Sequence, residues 1–146
     1  MATGTALHLE NQLCFPLYVA SRLLTKAYAP LLDELDITYP QYLVLLALWE
    51  SDRQPVTALG QRLYLDTNTL TPLLKRLERK GLVRRERSTE DERKVIVRLS
   101  ETGDQLRQRA ACIPEKITGA GGKSALSRRQ LDNFRRMLWQ MIEQLG

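Results

Sequence analysis

Three patterns follow one another between residues 55 and 103, and their order constrains the fold more than any other part of the chain. Val56-Thr57-Ala58-Leu59-Gly60-Gln61-Arg62-Leu63 reads as a short helix, with Leu59 and Leu63 one turn apart. Tyr64-Leu65-Asp66 turns the chain, and Asp66 supplies a side-chain oxygen suited to capping a second helix. In that helix Leu70, Leu73, Leu74 and Leu77 are spaced i, i+3, i+4, i+7, and Gly81 marks its end. Strand-like alternation follows in Leu82–Arg87 and again in Lys94–Leu99, around the polar tip Ser88-Thr89-Glu90-Asp91-Glu92-Arg93. Helix, turn, helix and basic hairpin in this order predict a winged helix: a mainly α chain with a small β-hairpin wing.

Charge points the same way. Between Lys75 and Arg98 lie ten Lys or Arg and five Asp or Glu, a local net charge of +5, which equals the net charge of all 146 residues. The remainder of the chain is therefore neutral. Positive charge confined to one helix and one hairpin is what a phosphate binder requires. Charge alone would equally suit a solvated helix beside a protected edge strand. Combined with the helix–turn–helix–hairpin order, it favours double-stranded DNA as the partner.

The remaining composition narrows the classes. At 43% apolar and 27% charged, the length suits one globular domain. No stretch approaches the ~20 apolar residues of a membrane helix, and residues 1–12 lack the basic start and apolar run of a secretion signal. A cytoplasmic protein is expected. One His and two Cys make no zinc site, and no glycine-rich phosphate loop occurs, so neither metal nor cofactor is expected.

The flanks read as helices. Residues 41–49 are apolar almost all round, as in a buried helix. Leu131, Phe134, Leu138, Met141 and Leu145 form a heptad seam, and Leu13, Leu17, Ala20, Leu24 and Ala27-Tyr28 form a second stripe. Such seams either pack on their own domain or form a dimerisation layer, and their position on both sides of a DNA reader favours the layer. The resulting organisation is one chain, 1–146, with the winged helix at about 40–103 and dimerisation helices at about 9–36 and 104–146. Pro114 is expected to kink or end the helix that opens near Ser100, and Gly119–Gly122 to separate it from the last one.

Cys14 is the second informative feature. A lone Cys between Leu13 and Phe15 is commonly an inert buried thiol. Pro16, however, suits the first turn of a helix, which puts Cys14 at a helix N-terminus where partial positive charge favours a thiolate. Tyr18, Tyr28, Tyr39 and Tyr42 share this third of the chain and could donate hydroxyl protons to the sulfur, or serve as amphipathic core residues. Leu13, Phe15, Leu17 and Trp49 could supply apolar surroundings.

Four segments carry a resemblance: Leu9-Glu10-Asn11-Gln12-Leu13-Cys14-Phe15, Ile37-Thr38-Tyr39-Pro40-Gln41-Tyr42-Leu43, Leu65-Asp66 with Thr69–Lys75, and Glu90-Asp91-Glu92-Arg93. From about residue 9 to 117 the chain resembles the organic hydroperoxide resistance regulators of the MarR family. The resemblance implies a homodimeric winged-helix repressor on a pseudo-palindromic operator, released when an organic hydroperoxide oxidises Cys14. It implies that Tyr28 and Tyr39 reach Cys14 across the dimer, with Tyr18 nearby. It places Thr67, Asn68, Thr69 and Thr71 in the major groove and Arg93 in the minor groove, braced by Asp91. Lys75, Arg76, Arg87 and Lys94 complete the DNA-contacting set, with Arg87 and Lys94 meeting phosphates. Pro16 departs from the Ala or Leu that the resemblance suggests.

In this family the oxidised thiol forms a disulfide either with a small thiol or with a second Cys. Cys112 lies several positions before the place the resemblance gives a resolving Cys, and Ala110-Ala111-Cys112-Ile113 reads as an apolar helical stretch suited to an inert thiol. Both roles stay open for Cys112. Two rival functions also stand: a repressor released by a small aromatic ligand with Cys14 inert, and a thiol peroxidase. The second would leave the basic hairpin unused.

Overall fold

The computed structural model describes residues 3–119 and 126–146. Along the chain run α1 (Thr3–Ala6), a 3-10 turn (Leu9–Asn11), α2 (Cys14–Asp33), α3 (Tyr39–Glu50), β1 (Gln54–Pro55), α4 (Val56–Leu63), α5 (Thr67–Arg79), β2 (Val83–Arg87), β3 (Val95–Leu99), α6 (Glu101–Ala110), α7 (Ile113–Thr118) and α8 (Arg128–Leu145). The chain divides into two units, Met1–Ala111 and Cys112–Gly146.

The first unit is built around α3. Its sequence is apolar on every side, and Tyr42, Val44, Leu45, Ala47, Leu48 and Trp49 are all buried. A helix with no polar face must be surrounded, and α2, α4, α5, α6 and β3 all touch it. Each fully buried large side chain contributes about 1.5–3 kcal/mol of transfer free energy. The helix starts where Thr38 and Gln41 cap each other: the Gln41 amide N–H donates to Thr38 Oγ1 at 3.4 Å, and the Thr38 N–H donates to Gln41 Oε1 at 3.0 Å.

The helix–turn–helix follows the expected lines. α4 ends at Tyr64 in the left-handed conformation, φ 55°. Asp66 Oδ1 accepts the Thr69 N–H at 2.8 Å and opens α5. Leu70, Leu73, Leu74 and Leu77 turn one face of α5 into the core. The end of α5 is closed by Gly81 at φ 73°, where the Gly81 N–H donates to the Glu78 carbonyl at 2.9 Å and the Leu82 N–H to the Leu77 carbonyl at 3.0 Å. A residue with a Cβ would be strained there.

The hairpin is part of a three-stranded antiparallel sheet in the order β1-β3-β2. β2 and β3 pair Val83 with Leu99 through Arg87 with Val95. Each begins one residue later than its pattern predicts. β1 was not anticipated: two residues carry no alternation, and one of them is proline. It pairs Gln54 with Val97, and Asp52 fixes it there by accepting the N–H of Leu99 and of Arg53, each at 2.8 Å.

α6 closes the unit. Ser100 Oγ accepts the Gly103 N–H at 3.0 Å. The Gly103 carbonyl accepts the Trp49 indole N–H at 2.9 Å, so α3 and α6 are tied through a buried hydrogen bond. A Cβ built on Gly103 would lie 2.0 Å from the Leu82 carbonyl oxygen. By contrast α2 buries only Leu32 and leaves Phe15, Tyr18, Leu23 and Leu24 exposed.

In the second unit Pro114 lies in the first turn of α7, where its missing N–H costs nothing, so a new helix starts instead of α6 continuing. Gly119 caps α7 at φ 66°; the rest of the expected glycine break, residues 120–122, lies outside the described residues. Ser127 and Gln130 form a reciprocal cap on α8. No residue of α8 is buried, and Phe134, Met137, Trp139 and Leu145 are exposed.

Gly103→Ala is expected to destabilise the fold by about 2 kcal/mol or more, because the Leu82 backbone must move to admit the methyl group. Denaturant unfolding of the variant beside wild type measures this, and equal midpoints would contradict it.

Candidate nucleic-acid interface and thiol site

The Asp66 cap leaves Thr67, Asn68 and Thr69 exposed on the first turn of α5, with Thr71 half-buried behind them. Their hydroxyl and amide groups can donate to and accept from base edges, and the positive end of the helix lies with them. A cleft of about 250 Å³ runs from this turn to the wing, lined among others by Thr57, Thr67, Thr71, Arg85, Arg93 and Lys94. Recognition helix and wing thus share one concave face.

The wing tip is internally braced. Ser88 Oγ accepts the N–H of Glu90 at 3.2 Å and of Asp91 at 3.4 Å. The Ser88 N–H donates to the Lys94 carbonyl at 2.8 Å, and the Lys94 N–H to the Asp91 carbonyl at 2.9 Å. Asp91 Oδ1 accepts the Arg93 N–H at 3.1 Å and its Nε–H at 3.2 Å, and this pair of bonds holds the Asp91 carboxyl below its usual range. The Arg93 side chain is 91% exposed. An exposed ion pair adds little stability; what it gives here is a fixed direction for the guanidinium.

The ten basic residues of this region divide by use. Arg85 donates its backbone N–H to Glu78 Oε2 at 2.9 Å and its Nη2–H to Oε1 at 3.3 Å, clamping the wing to α5 and holding the Glu78 carboxyl low. Arg98 donates to Glu86 at 2.7 Å across the hairpin. Lys80 turns toward the α2–α3 turn. These three serve the fold. Lys75, Arg76, Arg79, Arg84, Arg87, Arg93 and Lys94 stay exposed, with Arg87 also donating to the Glu92 carbonyl at 3.0 Å. The count of charges in the sequence could not make this division, which depends on which carboxylate lies across the strand or turn.

Cys14 is the first residue of α2 and is exposed. No side chain caps this end, so its first-turn N–H groups stay open toward solvent and the thiol, apart from Pro16, which has none. Tyr28, Tyr39 and Tyr42 pack together, with ring centroids 4.8 Å apart for Tyr28–Tyr39, 5.8 Å for Tyr28–Tyr42 and 6.3 Å for Tyr39–Tyr42. Burial pushes all three hydroxyls above the usual tyrosine range, and Tyr42, beside the other two, up to about 12. They remain proton donors throughout the neutral range.

Tyr18 lies outside this cluster, one turn after Cys14 on α2, 61% exposed, with the Arg22 guanidinium 5.5 Å from its ring centroid. Other expectations need correction. Tyr42, 2% exposed, is a core residue. Trp49 belongs to the core as well, edge-on to Tyr42 and bonded to Gly103, so it is no part of an apolar surround for Cys14. Cys112 does not lie within a helix: α6 stops at Ala110, and Cys112 is exposed in the turn that opens α7. Tyr28 lies fourteen residues beyond Cys14 on the same helix, a rise of about 21 Å. Within one chain the two cannot meet.

Among the described residues no group of His, Cys, Asp and Glu could hold a metal, and no helix is long and apolar enough to cross a membrane.

The family model for the transcriptional regulators SarA/Rot matches residues 26–109. The organic hydroperoxide resistance transcriptional regulator of Bacillus subtilis is 51% identical over 137 residues, 94% of this chain and 91% of that protein. The chain belongs to the hydroperoxide-resistance regulators of the MarR family. Two solved forms of AbfR, from Staphylococcus epidermidis, are similar to this chain. The reduced form bound to DNA is 40% identical, covers 94% of each chain and superposes with a TM-score of 0.76. The disulfide form, also 40% identical and covering 92% of each chain, gives 0.65.

The raised tyrosine hydroxyls carry a pH signature. Unfolded tyrosines ionise near pH 10 and these three ionise later, so the stability they contribute is complete below pH 10 and is lost as pH rises toward 12. A spectrophotometric titration should show tyrosinate formation extending toward pH 12 in the folded protein, and the late portion should disappear in Tyr42→Phe.

Proposed function

We propose that this regulator is a homodimeric, redox-sensing repressor that binds a pseudo-palindromic operator while Cys14 is reduced and leaves it when an organic hydroperoxide oxidises Cys14. The observation that carries this reading is the place of Cys14: exposed, at the N-terminus of a helix whose apolar face is uncovered, in a chain half identical to a hydroperoxide-resistance regulator. Uncovered apolar faces on α2 and α8 call for a partner surface, and a second copy supplies one. A second copy whose α2 runs antiparallel would bring its Tyr28, and the Tyr39 packed against it, toward Cys14, bridging the ~21 Å that separates Cys14 from Tyr28 within one chain. Their hydroxyls, kept protonated by burial, would then donate to the thiolate.

The chemistry closes without a cofactor. The Cys14 thiolate attacks the outer oxygen of the hydroperoxide, the O–O bond breaks, and the alkoxide leaves as an alcohol after taking a proton. Sulfur is oxidised by two electrons to the sulfenic acid and the peroxide is reduced. A second thiol then displaces water to give a disulfide. The exposed turn position of Cys112 suits a thiol that exchanges with solvent better than an inert core thiol. A small thiol serves as the general partner, and Cys112 is the alternative partner within the dimer. Loss of the tyrosine–thiolate bonds shifts the balance to an arrangement in which the two heads no longer match successive major grooves. In this reading each Cys14 reports once per oxidation and does not turn over peroxide.

On the DNA, Thr67, Asn68, Thr69 and Thr71 read bases, and Arg93, directed by Asp91, enters the minor groove. Lys75, Arg76, Arg87 and Lys94 hold phosphates. The operator search and the sensing chemistry both suit a cytoplasmic protein.

Cys14→Ser should bind operator as wild type does and stay bound after one equivalent of cumene hydroperoxide, by mobility shift. Release by this variant would remove Cys14 from the sensing role. Peptide mapping of the oxidised wild type and Cys112→Ser identifies the second thiol of the disulfide. Arg93→Ala should lower affinity for operator at least tenfold more than affinity for random DNA, since a minor-groove arginine reads groove shape; Lys94→Ala should lower both alike. Equal losses for Arg93→Ala would make it a phosphate clamp.

A further inference from the structure

Lys80 is counted with the cations of the reading head, yet it points away from the exposed set. It caps the C-terminal end of α5, and its ammonium reaches the turn between α2 and α3. There Nζ donates to the Asp36 carbonyl, donates to Gln41 Oε1 at 3.3 Å, and lies 3.7 Å from the Asp36 carboxylate. Its side chain is only 30% exposed. Gln41 is the one buried polar residue of the described core, at 2% exposure, and the same Oε1 accepts the Thr38 N–H at 3.0 Å. Tyr39, the first residue of α3, lies between Thr38 and Gln41 and packs against Tyr28 of α2. Asp36 holds a left-handed conformation, φ 54°, one that aspartate adopts more readily than most non-glycine residues. The turn is held from a second side by Arg109 of α6, whose Nη2–H donates to the Glu34 carbonyl at 2.9 Å.

From this we infer that Lys80 is the positioning residue that couples the thiol-sensing layer to the recognition helix. The inference rests on the redox reading above. A displacement of α2 or of Tyr39 must move Thr38, Gln41 and the Asp36 carbonyl, and all three bonds of the node converge on atoms that Lys80 touches. Because Gln41 Oε1 serves the α3 cap and Lys80 together, the cap cannot shift while the end of α5 stays still without breaking one of the two bonds. The exposed Asp36 carboxylate adds little; the buried amide oxygen and the main-chain carbonyl carry the link. Without Lys80, α5 still packs through its four leucines and still presents Thr67–Thr71 to DNA, but it is released from the movement of the turn.

The test measures operator affinity of the full-length protein before and after one equivalent of cumene hydroperoxide, in wild type, Lys80→Met, Lys80→Arg, Lys75→Met and Cys14→Ser. Lys80→Met should bind operator in the reduced state within a few-fold of Lys75→Met, which loses one exposed cation from the same helix. Its ratio of oxidised to reduced Kd should fall at least about fivefold below wild type, the low end of ordinary coupling between sites. Lys75→Met should keep the wild-type ratio, and Lys80→Arg, which reaches the same acceptors, should restore it. Should Lys80→Met fail to fold, Lys80→Gln, which is shorter and uncharged, carries the same comparison. A Lys80 variant with the wild-type ratio overturns the inference while leaving the redox reading intact, provided Cys14→Ser ignores peroxide. If wild type itself does not release DNA on oxidation, the redox reading fails first.

Discussion

The structure depends on the burial of one helix. α3 has no polar face, and α2, α4, α5, α6 and β3 pack around it to cover it. The reading head gains its rigidity from that demand. The buried hydrogen bond from the Trp49 indole to the Gly103 carbonyl adds direction to a packing already required by transfer free energy.

By contrast α2 in the first unit and α8 in the second are mostly exposed. α2 buries one residue and α8 none, although both carry apolar stripes at helical spacing. In the first unit α2 leaves Phe15, Tyr18, Leu23 and Leu24 exposed, and in the second α8 leaves Phe134, Met137, Trp139 and Leu145 exposed. Tyr28 lies at the border between the two regimes, on the mostly uncovered helix yet packed against Tyr39 and Tyr42 of the buried one. The tyrosine cluster thus joins the mostly exposed helix to the buried one.

Much of this was legible in the residues, and the parts that were not share a cause. Periodic features were readable because each records its own burial: the four leucines of α5, the apolar run of α3, the cap at Asp66 and the stop at Gly81. The Thr38-x-x-Gln41 pattern was also there to be read as a reciprocal cap. What stayed hidden were relations between distant positions. β1 exists only because Asp52 and β3 hold two residues extended. The division of the cations into Arg85, Arg98 and Lys80 on one side and the exposed set on the other depends on Glu78, Glu86 and Gln41, which no spacing rule connects to them. The exposed turn at Cys112 was missed because Ala110-Ala111-Cys112 reads as helix until Pro114 opens the next one.

The confinement of net charge has a consequence for how the molecule responds to its solution. All +5 of the chain resides between Lys75 and Arg98, and the other residues sum to zero. Attraction to the DNA backbone weakens steeply with added salt, because bound cations displace counterions from the phosphates. The segment bearing Cys14 and the tyrosine cluster has no such charge excess, and its bonds are short-range. Ionic strength therefore acts most strongly through this one segment, and sets how firmly the reading head is held on the phosphates.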